Sequence, residues 1–128
     1  MLSSREIAEA KIRMKYSYKS EVLHEHEDCI RIAYEWLDAQ ATTKGVTRFA
    51  RPLKHIIEKW GGRYVSQSDV EVAAELHPAI RGTYPYFNIS RRLVRPSDAR
   101  LTNIREARTQ NYKLTPRAAA ETYTTSES

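Results

Sequence analysis

Residues 20–40 read SEVLHEHEDCIRIAYEWLDAQ, and this stretch decides the fold class. Val22, His26, Cys29, Ile30, Ala33, Trp36 and Leu37 recur at three- and four-residue steps, the period of a helix with one apolar stripe. The opposite face carries Glu21, Glu25, Glu27, Asp28, Glu35 and Asp38 against Arg31 alone. Most of these acids crowd the early turns, where the helix dipole favours them. Ser20 is placed to cap this helix, and it runs out near Gln40, before the loop at 41–45. His26 falls near the core stripe and His24 outside it. Positions two apart on a helix point about 200° away from each other, so His24 and His26 do not share a metal. Cys29, on the stripe, reads as a buried thiol.

Working outward, helices recur between clear stop signals. Ser3 and Glu6 form a capping-box pattern ahead of a helix over about residues 4–15. A third helix spans about Phe49 to Trp60, or starts at Arg51 because Pro52 suits only a first turn. Gly61 and Gly62 end it. Ser68 with Glu71 opens a short helix that Pro78 closes. Residues 79–87 form an ordered loop, 88–94 a helix of about two turns, and 98–109 a last helix capped by Ser97. The expectation is a mainly α, compact bundle of five or six short helices, with a small β-ribbon near Tyr64 or Tyr84. Its core holds Ile30, Trp36, Leu37, Leu53, Ile56, Ile57, Trp60, Val70, Ala73, Leu76, Leu93, Leu101 and Ile104. A single helical domain covers 1–114. Residues 115–128, rich in Thr, Ala and Ser, read as a disordered tail.

Charge is the main functional signal. Residues 79–128 carry nine Lys/Arg against four Asp/Glu, whereas residues 1–78 carry twelve of each, so the whole net charge of +5 lies in the C-terminal part. Seven of those cations are arginines between Arg81 and Arg108, and the planar guanidinium suits phosphate oxygens and base edges. This predicts a non-enzymatic nucleic-acid-binding protein, a small transcription or replication regulator on duplex DNA. Arg91, Arg92 and Arg95 would contact bases or phosphates. Arg81, Arg100, Arg105 and Arg108 would hold the backbone. Asn88 would cap a helix or touch a base. Segment 66–95 resembles a helix-turn-helix in outline, with Ala73 and Ala74 permitting close packing and Arg91 and Arg92 on the second helix. Its turn, about ten residues long, departs from the usual three or four. Arg81, Tyr84, Tyr86, Phe87, Arg91 and Arg92 also interleave rings with cations, as single-strand binders do. Dimerisation would suit a regulator that reads a two-fold site.

The alternative is a protein-binding inhibitor or adaptor, by analogy with phage-encoded anti-defence or host-takeover proteins. It would act through the acidic face around Glu25, Asp28 and Glu35 or through the arginine block. No motif points to an enzyme, a cofactor or a metal. With one cysteine, no apolar run near 18 residues and no signal-like N-terminus, the reading is a cytoplasmic protein away from membranes.

Overall fold

Helix α2 (Glu27–Asp38) is the centre of the protein, with Cys29, Ile30, Ile32, Ala33, Trp36 and Leu37 all buried. The structure, a computed structural model, describes residues 1–128. Helix α4 (Gln67–Leu76) packs along α2. Val70, Val72 and the small Ala73 and Ala74 line that contact and let the two helices approach closely. Helix α1 (Ser4–Arg13) lies on both through Ile7 and Ala10, with its Ser3–Glu6 capping box formed. Helix α3 (Leu53–Gly61) covers another side of α2 and ends at Gly62, whose φ of 63° no β-carbon would favour. A short hairpin follows, β1 (Gly82–Thr83) with β2 (Tyr86–Phe87). Gly82 has φ 110°, and a β-carbon there would collide with the carbonyl of Tyr86. Strand β3 (Val94–Arg95) then pairs in parallel with β4 (Thr125–Ser126).

The protein is therefore mainly α, with five α-helices and two small sheets. The ribbon forms at Tyr84, while Tyr64 lies in no strand. Eleven of the thirteen expected core residues are buried; Ile56 and Leu76 are only partly covered.

Several elements differ from the sequence reading. Helix α2 starts at Glu27 rather than after Ser20, and His26 is its N-cap, with Nδ1 accepting the Asp28 N–H at 2.9 Å. Residues 22–25 stay out of the helix because their groups bond α4. The Leu23 N–H donates to Ser68 Oγ, Ser66 Oγ donates to the Leu23 carbonyl, and the His24 ring meets Asp69 at 2.7 Å. His24 is thus the more enclosed histidine. The capping box of α4 is Ser66 with Asp69, not Ser68 with Glu71. Helix α3 starts only at Leu53, leaving Phe49 outside and exposed. The helix expected over 88–94 is absent, so the second helix of a helix-turn-helix does not exist. Instead Thr42 bridges Ile89 in antiparallel fashion, and β3 pairs with the C-terminus. Over 98–109 there is only one 3-10 turn, Asp98–Leu101, followed by turns that end at Arg108 with φ 60°.

The tail also folds. Thr115 caps helix α5 (Pro116–Thr122), and Pro116 in its first turn is pre-set for the helix. Tyr123 is buried, and its hydroxyl accepts the Trp36 Nε1–H at 2.8 Å. The Thr124 N–H donates to the Leu93 carbonyl, and the Glu127 N–H to that of Arg95. Replacing Tyr123 by Phe strands the buried Trp36 donor and should cost about 1–3 kcal/mol in urea unfolding. A change near zero would show that the tail does not pack.

Candidate nucleic-acid interface

Neither residues 39–57 nor residues 76–97 contain a single Asp or Glu. The fold lays these two carboxylate-free segments side by side. The Thr43 N–H donates to the Asn88 carbonyl (2.8 Å), the Ser90 N–H to that of Ala41 (2.8 Å) and the Thr47 N–H to that of Phe87 (3.0 Å). Asn88, 1% exposed, ties the seam from inside: Oδ1 accepts the Arg81 N–H at 2.6 Å, and Nδ2 donates to the carbonyls of Ala79 and Thr43. The result is one face carrying Lys44, Arg48, Arg51, Arg81, Arg91 and Arg92, and none of these six cations has a carboxylate partner. The N-terminus of α3 opens onto the same face, with no acid in its first turn, so the positive end of its dipole adds to the field. The Tyr84 hydroxyl accepts the Lys54 N–H there, which anchors the hairpin to α3.

Two recesses share this face. The first is a shallow apolar groove of about 10 Å³ between Phe49, Leu53, Pro85 and Arg91, and Phe49 is 48% exposed. The Arg91 guanidinium stands 4.7 Å from the Phe49 ring centroid and that of Arg51 5.8 Å, both within cation–π range. Thr47 Oγ1 accepts the Phe49 N–H and holds the loop that presents the ring. One guanidinium nitrogen of Arg51 is buried without an acceptor. The second recess is an open cleft of about 460 Å³ lined by Gly45, Thr47, Arg48, Ser90, Arg91 and Arg92. Arg91 borders both.

The expected site residues separate into several roles. Arg81, Arg91 and Arg92 are exposed on the face. Asn88 is interior and cannot reach a base. Arg100 belongs to a structural clamp, held by Glu35 (2.9 Å), Asp38 (2.9 Å) and Glu127 (2.6 Å). Arg108 pairs with Asp98. Arg95 and Arg108 line, with Lys59 and Lys113, a separate cleft of about 430 Å³ at the far end of α3. Arg105 is exposed and unpaired. The acids have internal partners too: Glu25 bridges Arg63 at 2.8 Å, Asp28 meets Arg31 at 2.6 Å, and Glu35 meets Arg100. Lys44, Arg48, Phe49 and Arg51 escaped the sequence reading, although the absence of acids from 39–57 was a visible signal. Burial, with the Asp69 carboxylate nearby, pushes the Cys29 thiol up to about 12, which suits a structural residue rather than a nucleophile.

Hydrogen bonds from Arg100 hold the Glu127 carboxyl below its ordinary range. At Asp38 burial pushes upward, but the bonds from His77 and Arg100 outweigh it and the net shift is downward. Carboxyls lowered in the folded state stabilise it fully above the ordinary carboxylate range, and that contribution fades as pH falls through the lowered values. Urea midpoints should therefore drop below about pH 4.5, and Arg100→Ala should flatten that slope. At neutral pH, Asn88→Ala should cost about 2 kcal/mol or more by unpairing buried groups. Arg91→Ala and Arg92→Ala should each stay within about 0.5 kcal/mol. Equal losses at all three positions would contradict this division of roles. Comparison of the chain with protein-family models, curated proteins and solved structures finds no match, so the interface rests on these residues alone.

Proposed function

We propose that this is a small non-enzymatic nucleic-acid-binding protein that grips the phosphate backbone with the face built from residues 43–51 and 81–92. A role in regulating transcription or replication follows from occupying the nucleic acid. One observation carries the reading: six cations converge where the fold has gathered two carboxylate-free segments, and the nearby Glu71 and Glu75, which share a pocket with Arg81, are engaged by Ser17 and Arg13 rather than by these cations. Like charges so placed repel one another and lower stability, and a polyanion relieves that repulsion. The segregation also orients approach, because a polyanion is drawn to one side and repelled by the other. The alternative of a partner docked on Glu25, Asp28 and Glu35 has less support, since each already bonds an arginine of its own chain.

Binding to phosphates releases counterions, so affinity falls with salt. Six contacts correspond to a log–log slope of about −4 to −5. In fluorescence anisotropy titrations over a salt series, the triple charge reversal Arg48→Glu, Arg91→Glu, Arg92→Glu should remove about half of that slope and most of the affinity. The same reversal at Lys59, Lys113 and Arg117, away from the face, should leave both nearly unchanged. Equal loss from the two triples would sink the assignment of the face.

A further inference from the structure

We infer that the nucleic acid taken by this face is single-stranded, with one base stacked on Phe49 and the adjoining phosphate seated among Arg48, Arg91 and Arg92. This rests on the nucleic-acid reading above and narrows it. The two recesses differ in chemistry as the two halves of a nucleotide do. The groove beside Phe49 is apolar and narrow, about 10 Å³, so a base would lie on the exposed part of Phe49 rather than inside the groove. The neighbouring cleft, about 460 Å³, is lined by three arginines and by the hydroxyl residues Thr43, Thr47 and Ser90. Arg91 links them, because its guanidinium lies over the Phe49 ring and also borders the cleft. A guanidinium plane and a phenyl ring are both surfaces on which an unstacked base settles.

A duplex does not use this arrangement. Its bases present only their edges in the grooves, and reading them takes a helix or a two-stranded ribbon that can enter. Arg91 and Arg92 sit in a bend rather than a helix, just after Asn88 and Ser90, which are hydrogen-bonded to Thr43 and Ala41, and the β1–β2 hairpin has only two residues per strand. A duplex held by its phosphates alone would leave the Phe49 ring facing water among cations. A single strand covers it. Tyr86, 42% exposed on β2 and next to the Pro85 that lines the Phe49 groove, offers a second ring to a longer strand. The Arg51 and Arg91 guanidiniums beside Phe49 have no carboxylate to neutralise them, and a phosphate in the adjoining cleft, which Arg91 borders, supplies that charge to Arg91.

The test compares oligo(dT), oligo(U), a duplex and an abasic oligomer of the same length by anisotropy, with the wild type, Phe49→Ala and Phe49→Tyr. Phe49 is exposed, so both variants should fold, and thermal melting checks this. Oligo(dT) and oligo(U) should bind about tenfold or more tighter than the duplex and the abasic oligomer, the scale of one base–aromatic stack. Phe49→Ala should fall to the abasic level, and Phe49→Tyr should keep the affinity. Preference for oligo(U) over oligo(dT), or the reverse, would identify the natural strand and support the inference. A duplex bound as tightly as oligo(dT), or a Phe49→Ala variant that binds oligo(dT) like the wild type, would overturn it while leaving the nucleic-acid reading in place. Failure of every probe to bind would overturn that reading as well.

Discussion

Two buried carboxamides hold the non-helical half of this protein together. Gln40, at the end of α2, accepts the Val94 N–H at 2.9 Å and donates Nε2 to the Val94 carbonyl at 2.9 Å and to the Trp36 carbonyl at 3.0 Å. It therefore stands in for a neighbouring strand. Asn88 does the same for the Arg81 N–H and the Ala79 carbonyl. Backbone groups of an irregular segment must find partners when buried, and strands of two residues provide few. The side-chain amide, with one acceptor and two donors, imitates a peptide unit at little cost in space. Remove these two side chains and the 79–95 segment keeps only its backbone bonds to residues 41–47. The basic face would then be held less firmly, because its cations come from both segments.

The same economy governs charge. Arg63 is buried between Glu25 and Glu106, and burial opposes its charge, yet the carboxylate bonds win and raise its affinity for the proton. Arg100 gathers three carboxylates and closes the C-terminal segment onto α2. A guanidinium with five donors in a fixed fork suits such multiple bonds better than an ammonium. Arginine thus serves two ends in one chain. Where acids are within reach it acts as a clamp, and where the sequence omits acids it remains free. Net charge alone cannot separate these uses. Residues 79–128 hold the +5, but part of their basic charge, at Arg100 and Arg108, is neutralised by the fold. The free face draws half its cations from residues 44–51 of the nominally neutral first 78 residues.

The helical core was legible because its signal is periodic and long: the stripe ending at Trp36 and Leu37, and the one ending at Trp60, cannot be satisfied as strands. The boundaries depended on non-local partners. Residues 66–71 contain two overlapping capping patterns, Ser66 with Asp69 and Ser68 with Glu71. Which one forms is settled by residues far away, since Ser68 is occupied by Leu23 and Glu71 by Ser17. Residues 88–94 are too short for periodicity to distinguish helix from strand, and the decisive partner, residues 41–43, lies over forty positions upstream. The tail was misread by composition. Its Thr115–Pro116 start is a good helix opening, but the alanines after it hide Tyr123, the buried ring that docks beside the helix.

The placement of Phe49 follows from that same interplay. As a member of the α3 stripe it would be a core residue, one turn before Leu53. Pro52 prevents this: its ring disfavours helical backbone at Arg51, so the helix begins one residue later and the chain before it turns outward. Thr47 then fixes the turn through the Phe49 N–H. A large apolar residue is thereby held at the surface beside two arginines rather than buried or frayed. Burying a phenyl ring yields about 1.5–3 kcal/mol, and this fold forgoes much of that at a position where one turn more of helix would have recovered it. Exposure of a single apolar side chain is ordinary. Exposure enforced by a proline and a hydroxyl turn, beneath a guanidinium and beside an acid-free cleft, is what distinguishes Phe49 from Ile12 and the other exposed apolar residues, which have no cation stacked on them.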